Sequence, residues 1–213
     1  MTDSRSTESL IRNLGAGLMP VRRAASPNRL TLVWLGVASL IAAGLSLIFD
    51  MDAMMARLAS ATDLWLAALG ALLTALLAAK AAFELGVPGR SRLWALLPLP
   101  AALLWIGASG MGCLRNWAES GWQGGEDLEC LRFILGTSIP LAVAIVVLLR
   151  RVFPLYPMLT AGLAGLACAA ASAALLNIGH PFDATATDLA AHAAAVALVT
   201  LALTVSGGRL LRR

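Results

Sequence analysis

The chain has 213 residues, 59% of them hydrophobic and only 13% charged, with a formal net charge of +4. A water-soluble domain is nearer half apolar and one quarter charged, so a soluble fold is excluded: it could not hide this much apolar surface. The 16 basic residues, set against 12 acidic ones, form no clustered basic face of the kind that binds nucleic acid directly.

Residues 1–29 are polar and precede the first apolar block. No cleavable signal peptide is therefore expected, and the segment should persist in the mature protein. Within it Leu10, Ile11, Leu14 and Leu18 share one side of a helical wheel, while Glu8, Ser9 and Arg12 face away. This predicts a short amphipathic helix, ended by Pro20. Two uses fit it: a helix lying on the inner leaflet, helped by Arg12, Arg22 and Arg23, or a docking helix for a cytoplasmic partner.

Six apolar blocks follow, at 30–49, 64–83, 93–112, 131–149, 158–178 and 189–206. Each is long enough to cross a hydrocarbon core about 30 Å thick, and each is apolar all round rather than alternating, which fits helices and not an outer-membrane barrel. The expected fold is all-α: a polytopic transmembrane bundle of six helices over 30–206, an amino-terminal segment over 1–29 and a basic tail over 207–213. After the first block, Met51, Met54, Met55 and Leu58 recur at helical spacing, predicting a surface helix, with a methionine metal site as the alternative. Lys80 and Glu84 close the second block at the spacing of a snorkelling ion pair. Pro98 and Pro100 in the third block, and Pro140 in the fourth, predict kinks or breaks. In the fifth, Ala161, Gly165, Ala169 and Ala173 form one row of small residues and Ala164, Cys168 and Ser172 another. Close contact along such rows drives helix association in lipid, so this helix should be central.

Arginine placement orients the bundle. With the amino terminus inside, Arg5, Arg12, Arg22, Arg23, Arg29, Arg90, Arg92, Arg150, Arg151, Arg209, Arg212 and Arg213 are cytoplasmic, and only Arg57, Arg115 and Arg132 are outside. The positive-inside rule then places both termini in the cytoplasm. The largest outside loop, 113–130, begins at Cys113 and ends at Cys130. On the oxidising face this pair fits a structural disulfide, a reversible thiol switch or a soft-metal site, with His180 of the next outside loop as a conceivable third ligand. Cys168, among alanines, reads as packing. His192, four residues after Asp188, reads as an interfacial histidine or a proton-sensitive contact.

No Gly-rich phosphate loop, HExxH or Gly-x-Ser-x-Gly turn is present. Neither an enzyme nor a cofactor is expected, and no metal is assigned.

The run Leu10-Ile11-Arg12-Asn13-Leu14, followed by Met19-Pro20-Val21-Arg22-Arg23, resembles the start of NrsF-type anti-sigma factors. So do Val87-Pro88-Gly89-Arg90-Ser91-Arg92, Gly112-Cys113-Leu114-Arg115-Asn116-Trp117 and Cys130-Leu131-Arg132-Phe133-Ile134. The resemblance runs essentially end to end, and it implies a six-helix negative regulator of an extracytoplasmic-function sigma factor in the bacterial inner membrane. It further implies that Leu10, Leu14, Pro20 and Val21 belong to the partner-binding segment, and that Cys113 and Cys130 take part in sensing oxidants or heavy metals. Some members carry a cysteine in the last outside loop, where this chain has Gly179-His180-Pro181. The expected partners are thus the sigma factor and the lipid bilayer, with no direct nucleic-acid contact and with a homo-oligomer left open. Two rivals remain. A small transporter or channel needs a polar cavity, which the spans do not offer; a membrane thiol oxidoreductase usually needs a Cys-x-x-Cys pair, which is absent.

Overall fold

The computed structural model describes residues 4–18, 25–60, 62–120, 128–179 and 186–211. These form α1 (Ser4–Ala16), α2 (Pro27–Ser46), α3 (Met51–Ser60), α4 (Thr62–Leu85), a 3-10 helix (Arg92–Leu96), α5 (Leu99–Ser120), α6 (Leu128–Leu149), α7 (Pro157–Gly179) and α8 (Ala186–Leu210), with no strand among the described residues. Six stretches are long and apolar enough to cross a membrane: Pro27–Ser46, Thr62–Leu85, Arg92–Glu119, Cys130–Leu149, Pro157–Asn177 and Leu189–Leu210. They coincide with the six apolar blocks of the sequence.

Local chemistry explains the boundaries. Proline opens α2 and α7, where its missing N–H is one the helix would leave unbonded anyway. The Asp50 carboxylate accepts bonds from the amides of Asp52 and Ala53, both at 3.0 Å, capping α3. This short helix is the methionine-bearing element expected between the first two spans, and it packs on α4 and α7. Pro98 and Pro100 do interrupt the third span: a 3-10 helix ends at Leu96 and α5 begins only at Leu99. Pro140, by contrast, does not break α6, which runs through it. A missing N–H removes one backbone bond, and tertiary contacts hold the helix on both sides of it: Ser138 Oγ lies 3.0 Å from Ser172 Oγ of α7, and Trp34 Nε1 of α2 donates to the Leu141 carbonyl at 3.2 Å.

α7 is the central helix, packing on α8, α4 and α6 and also touching α2 and α3. Ala161, Ala164, Cys168, Ala169, Ser172 and Ala173 are all buried, so both small-residue rows read from the sequence are used. Small side chains let the backbones approach. A Cβ placed on Gly165 would lie 2.8 Å from the Thr200 Cα of α8, and one on Gly70 of α4 would lie 2.7 Å from the Trp105 amide nitrogen of α5. In lipid these close contacts supply the attraction that water-driven burial supplies elsewhere.

The start of α2, the end of α4, the α6–α7 connection and the end of α8 meet at one end of the bundle. Asn28 bonds Lys80, the Phe153 amide donates to the Gly86 carbonyl at 3.1 Å, and Arg150 Nε donates to the Leu210 carbonyl at 3.0 Å. At the other end, Arg115 of α5 pairs with Asp63 of α4 at 3.0 Å.

Candidate functional site

The amphipathic segment forms a helix over Ser4–Ala16. Leu10, Ile11 and Leu14 lie along one side at i, i+1 and i+4, and they are 58%, 64% and 65% exposed. An apolar row left this open on a short polar helix is a surface awaiting cover. Leu18, expected on the same face, lies beyond the helix: its amide donates to the Gly15 carbonyl at 3.3 Å, closing a turn. The helix stops at Ala16 and not at Pro20, because Gly15 and Gly17 both disfavour helix at its end. Pro20 and Val21 lie outside the described residues, as do Arg22 and Arg23.

The cysteines occupy less similar places than the sequence suggested. Cys113 was expected as the first residue of a loop. The structure continues α5 to Ser120, since no glycine or proline interrupts Cys113–Ser120 and Leu114 and Trp117 extend its apolar character. Cys113 therefore sits seven residues, about 10 Å, short of the helix end at 1.5 Å per residue, whereas Cys130 is in the first turn of α6. Cys113 is half-buried. Cys130 is wholly buried, beside Ile134, Ala173, Leu176 and Ala195. Both are thiols, as is Cys168. α5 packs on α4 and touches α8, while α6 packs on α7, α8 and α2. A disulfide between them, which needs Cα atoms about 4.4–6.8 Å apart, is not formed. No group of three His, Cys, Asp or Glu is gathered as a metal set among the described residues, and His180 lies outside them.

The end of the bundle that holds the start of α2 carries a charged network that sequence reading saw only in part. Lys80 bonds both Glu84 and Asn28 and lies 5.7 Å from the Trp94 ring centroid. Glu84 is 4% exposed, and Arg90 Nε reaches within 3.1 Å of its second carboxylate oxygen, close enough for an ion pair though not aligned as a hydrogen bond. Gly89, at φ +87°, turns the chain so that Arg90 comes back over α4. A carboxylate this buried needs such neighbours, since an unpaired buried charge costs several kcal/mol or more. The Lys80–Glu84 spacing was legible; Asn28, Arg90 and Trp94 were not, because nothing local marks them. The network ties the first turn of α2 to α4. His192 is half-buried in α8, and the side chain of Asp188 is not among those described.

A family model described as NrsF, negative regulator of sigma F, matches residues 14–212, nearly the whole chain. The match includes Leu14, Cys113 and Cys130 and leaves Leu10 and Ile11 before its start. No curated protein matches the chain, and neither does any solved structure.

Proposed function

Because the chain belongs to the NrsF family of negative regulators of sigma F, we propose that it is a membrane anti-sigma factor that holds an extracytoplasmic-function sigma factor through its amino-terminal segment. The observation that carries this reading is the open row Leu10, Ile11 and Leu14 on α1: an amphipathic helix with an uncovered apolar face suits a groove on a partner. The partner would be held away from RNA polymerase at the inner surface of the bacterial cytoplasmic membrane. Full-length protein in membranes should retain the sigma factor, and a chain lacking residues 1–18 should insert but retain none. Equal retention by both would remove the amino-terminal segment from the mechanism.

The orientation rests on the arginine distribution, with both termini cytoplasmic. Reporter fusions after Arg90 and Arg150 should read as cytoplasmic, and fusions within 121–127 as periplasmic. The reverse pattern would put the docking helix on the wrong side for any sigma factor.

Release on an oxidant or soft-metal signal is assigned to the cysteines near the outer end of α5 and α6. A signal can favour release only through its different affinities for two states of the bundle, with about 1.4 kcal/mol for each tenfold change in affinity. Burial makes the two thiols unequal, because thiol reactivity follows access. Maleimide should modify Cys113 in membranes at least about tenfold faster than Cys130 or Cys168. Cys113→Ser should shift induction by oxidant or soft metal, and Cys168→Ser should not. Induction unchanged in both Cys113→Ser and Cys130→Ser would end the thiol-sensing reading.

A further inference from the structure

The bundle end that carries the start of α2 and the end of α8 also brings two connections together, 86–98 and 150–156. They are pinned by the bond from the Phe153 amide to the Gly86 carbonyl. Val152 adds to this by lying over Gly86, where a Cβ would meet a Val152 methyl at 2.6 Å. The Arg92 guanidinium lies over the Tyr156 ring, 4.0 Å from its centroid. Stacking fixes the plane of a guanidinium and leaves its N–H edges available, and those edges match two phosphate oxygens at once. Arg150 and Arg151 stand on the same connection as Tyr156, exposed, with Arg150 steadied through Nε by the Leu210 carbonyl. Among the described residues no carboxylate pairs with Arg92, Arg150 or Arg151; the buried acid at this end, Glu84, is already engaged by Lys80 and Arg90.

Charge alone would suit free phosphate or an acidic peptide equally well. The neighbours of these arginines narrow the choice. Leu93, adjacent to Arg92, and Phe153, two residues after Arg151, are 71% and 60% exposed. They place apolar surface beside the cationic groups at the mouth of the membrane-spanning helices, where a ligand with a phosphate and acyl chains fits and a fully polar one does not. We propose that this collar binds an anionic phospholipid, its phosphate held by Arg92 with Arg150 and Arg151 and its chains lying along Leu93 and Phe153. The inference rests on the bilayer placement of the six helices and is independent of the sigma-factor reading.

Native mass spectrometry of the full-length protein, titrated with phosphatidylglycerol or phosphatidylcholine, tests it. The wild type should hold one or more phosphatidylglycerol molecules at least about tenfold more tightly than phosphatidylcholine. Arg92→Gln with Arg150→Gln and Arg151→Gln should erase that preference while phosphatidylcholine binding stays level. Arg92→Lys alone keeps the charge but loses the stacked fork, and should weaken phosphatidylglycerol binding severalfold. Equal retention of the two lipids by the wild type would overturn the site without any variant being needed. So would displacement of phosphatidylglycerol by inorganic phosphate or an acidic peptide at matched concentration, since the apolar half of the site would then contribute nothing.

Discussion

Leu10→Asp combined with Leu14→Asp should abolish capture of the sigma factor and leave its target genes constitutively on, while the protein still inserts at its normal level. Each leucine buried in a partner groove contributes about 1.5–3 kcal/mol, and each aspartate adds the cost of a carboxylate facing apolar surface. A combined loss of roughly 4 kcal/mol or more corresponds to about a thousandfold in Kd. Insertion should be unaffected, because both positions are exposed on α1 and precede all six spans. Leu18→Asp should do less, since Leu18 stands beyond the end of the helix. The measurement is co-purification of the sigma factor with the membrane protein, beside a reporter of its target genes. Full repression by a correctly inserted double variant would sink the docking model.

Gly165→Leu should cause a large loss of stability in the bundle. Its side chain would meet the Thr200 backbone of α8, with Thr200 Cα at 2.8 Å and the Val199 carbonyl oxygen at 3.1 Å from the new Cβ. Backbone cannot rotate aside as the end of a side chain can, so α7 and α8 would have to separate. Overpacking costs about 1–3 kcal/mol where side chains can adjust, and this site should reach the top of that range or pass it. Gly165→Ala should already be harmful. Gly107→Ala is the control: nothing lies within 4 Å of a Cβ there, so the helix gains about 0.5–1 kcal/mol from the more favourable residue. Thermal unfolding in detergent and abundance in membranes should rank these variants as Gly107→Ala, wild type, Gly165→Ala, Gly165→Leu. A Gly165→Leu protein as abundant and as stable as wild type would mean that the α7–α8 contact is not where the structure places it.

The six spans, the central place of α7 and the apolar row of α1 could all be read from residue order. Lipid offers no hydrogen bonds, so each spanning segment must satisfy its own backbone as a helix, and that makes the span a local property of about 20 residues of hydropathy. The small-residue rows of α7 are similarly local, since periodicity alone puts Ala161, Gly165, Ala169 and Ala173 on one face. Helix ends were harder. Leu18 fell off α1 because two glycines outweighed a continuing apolar pattern, and Cys113 moved inside α5 because nothing stopped that helix before Ser120. What only the tertiary structure decided is which groups answer one another across the chain. Lys80 finds Asn28 across 52 positions, and Trp34 finds the Leu141 carbonyl across 107. Arg90 reaches Glu84 only after Gly89 has turned the chain, and Arg92 meets Tyr156 only because the 86–98 and 150–156 connections are bonded together. A polar side chain has several chemically adequate partners in any sequence of this length, and only the packing of the apolar helices brings one of them within reach.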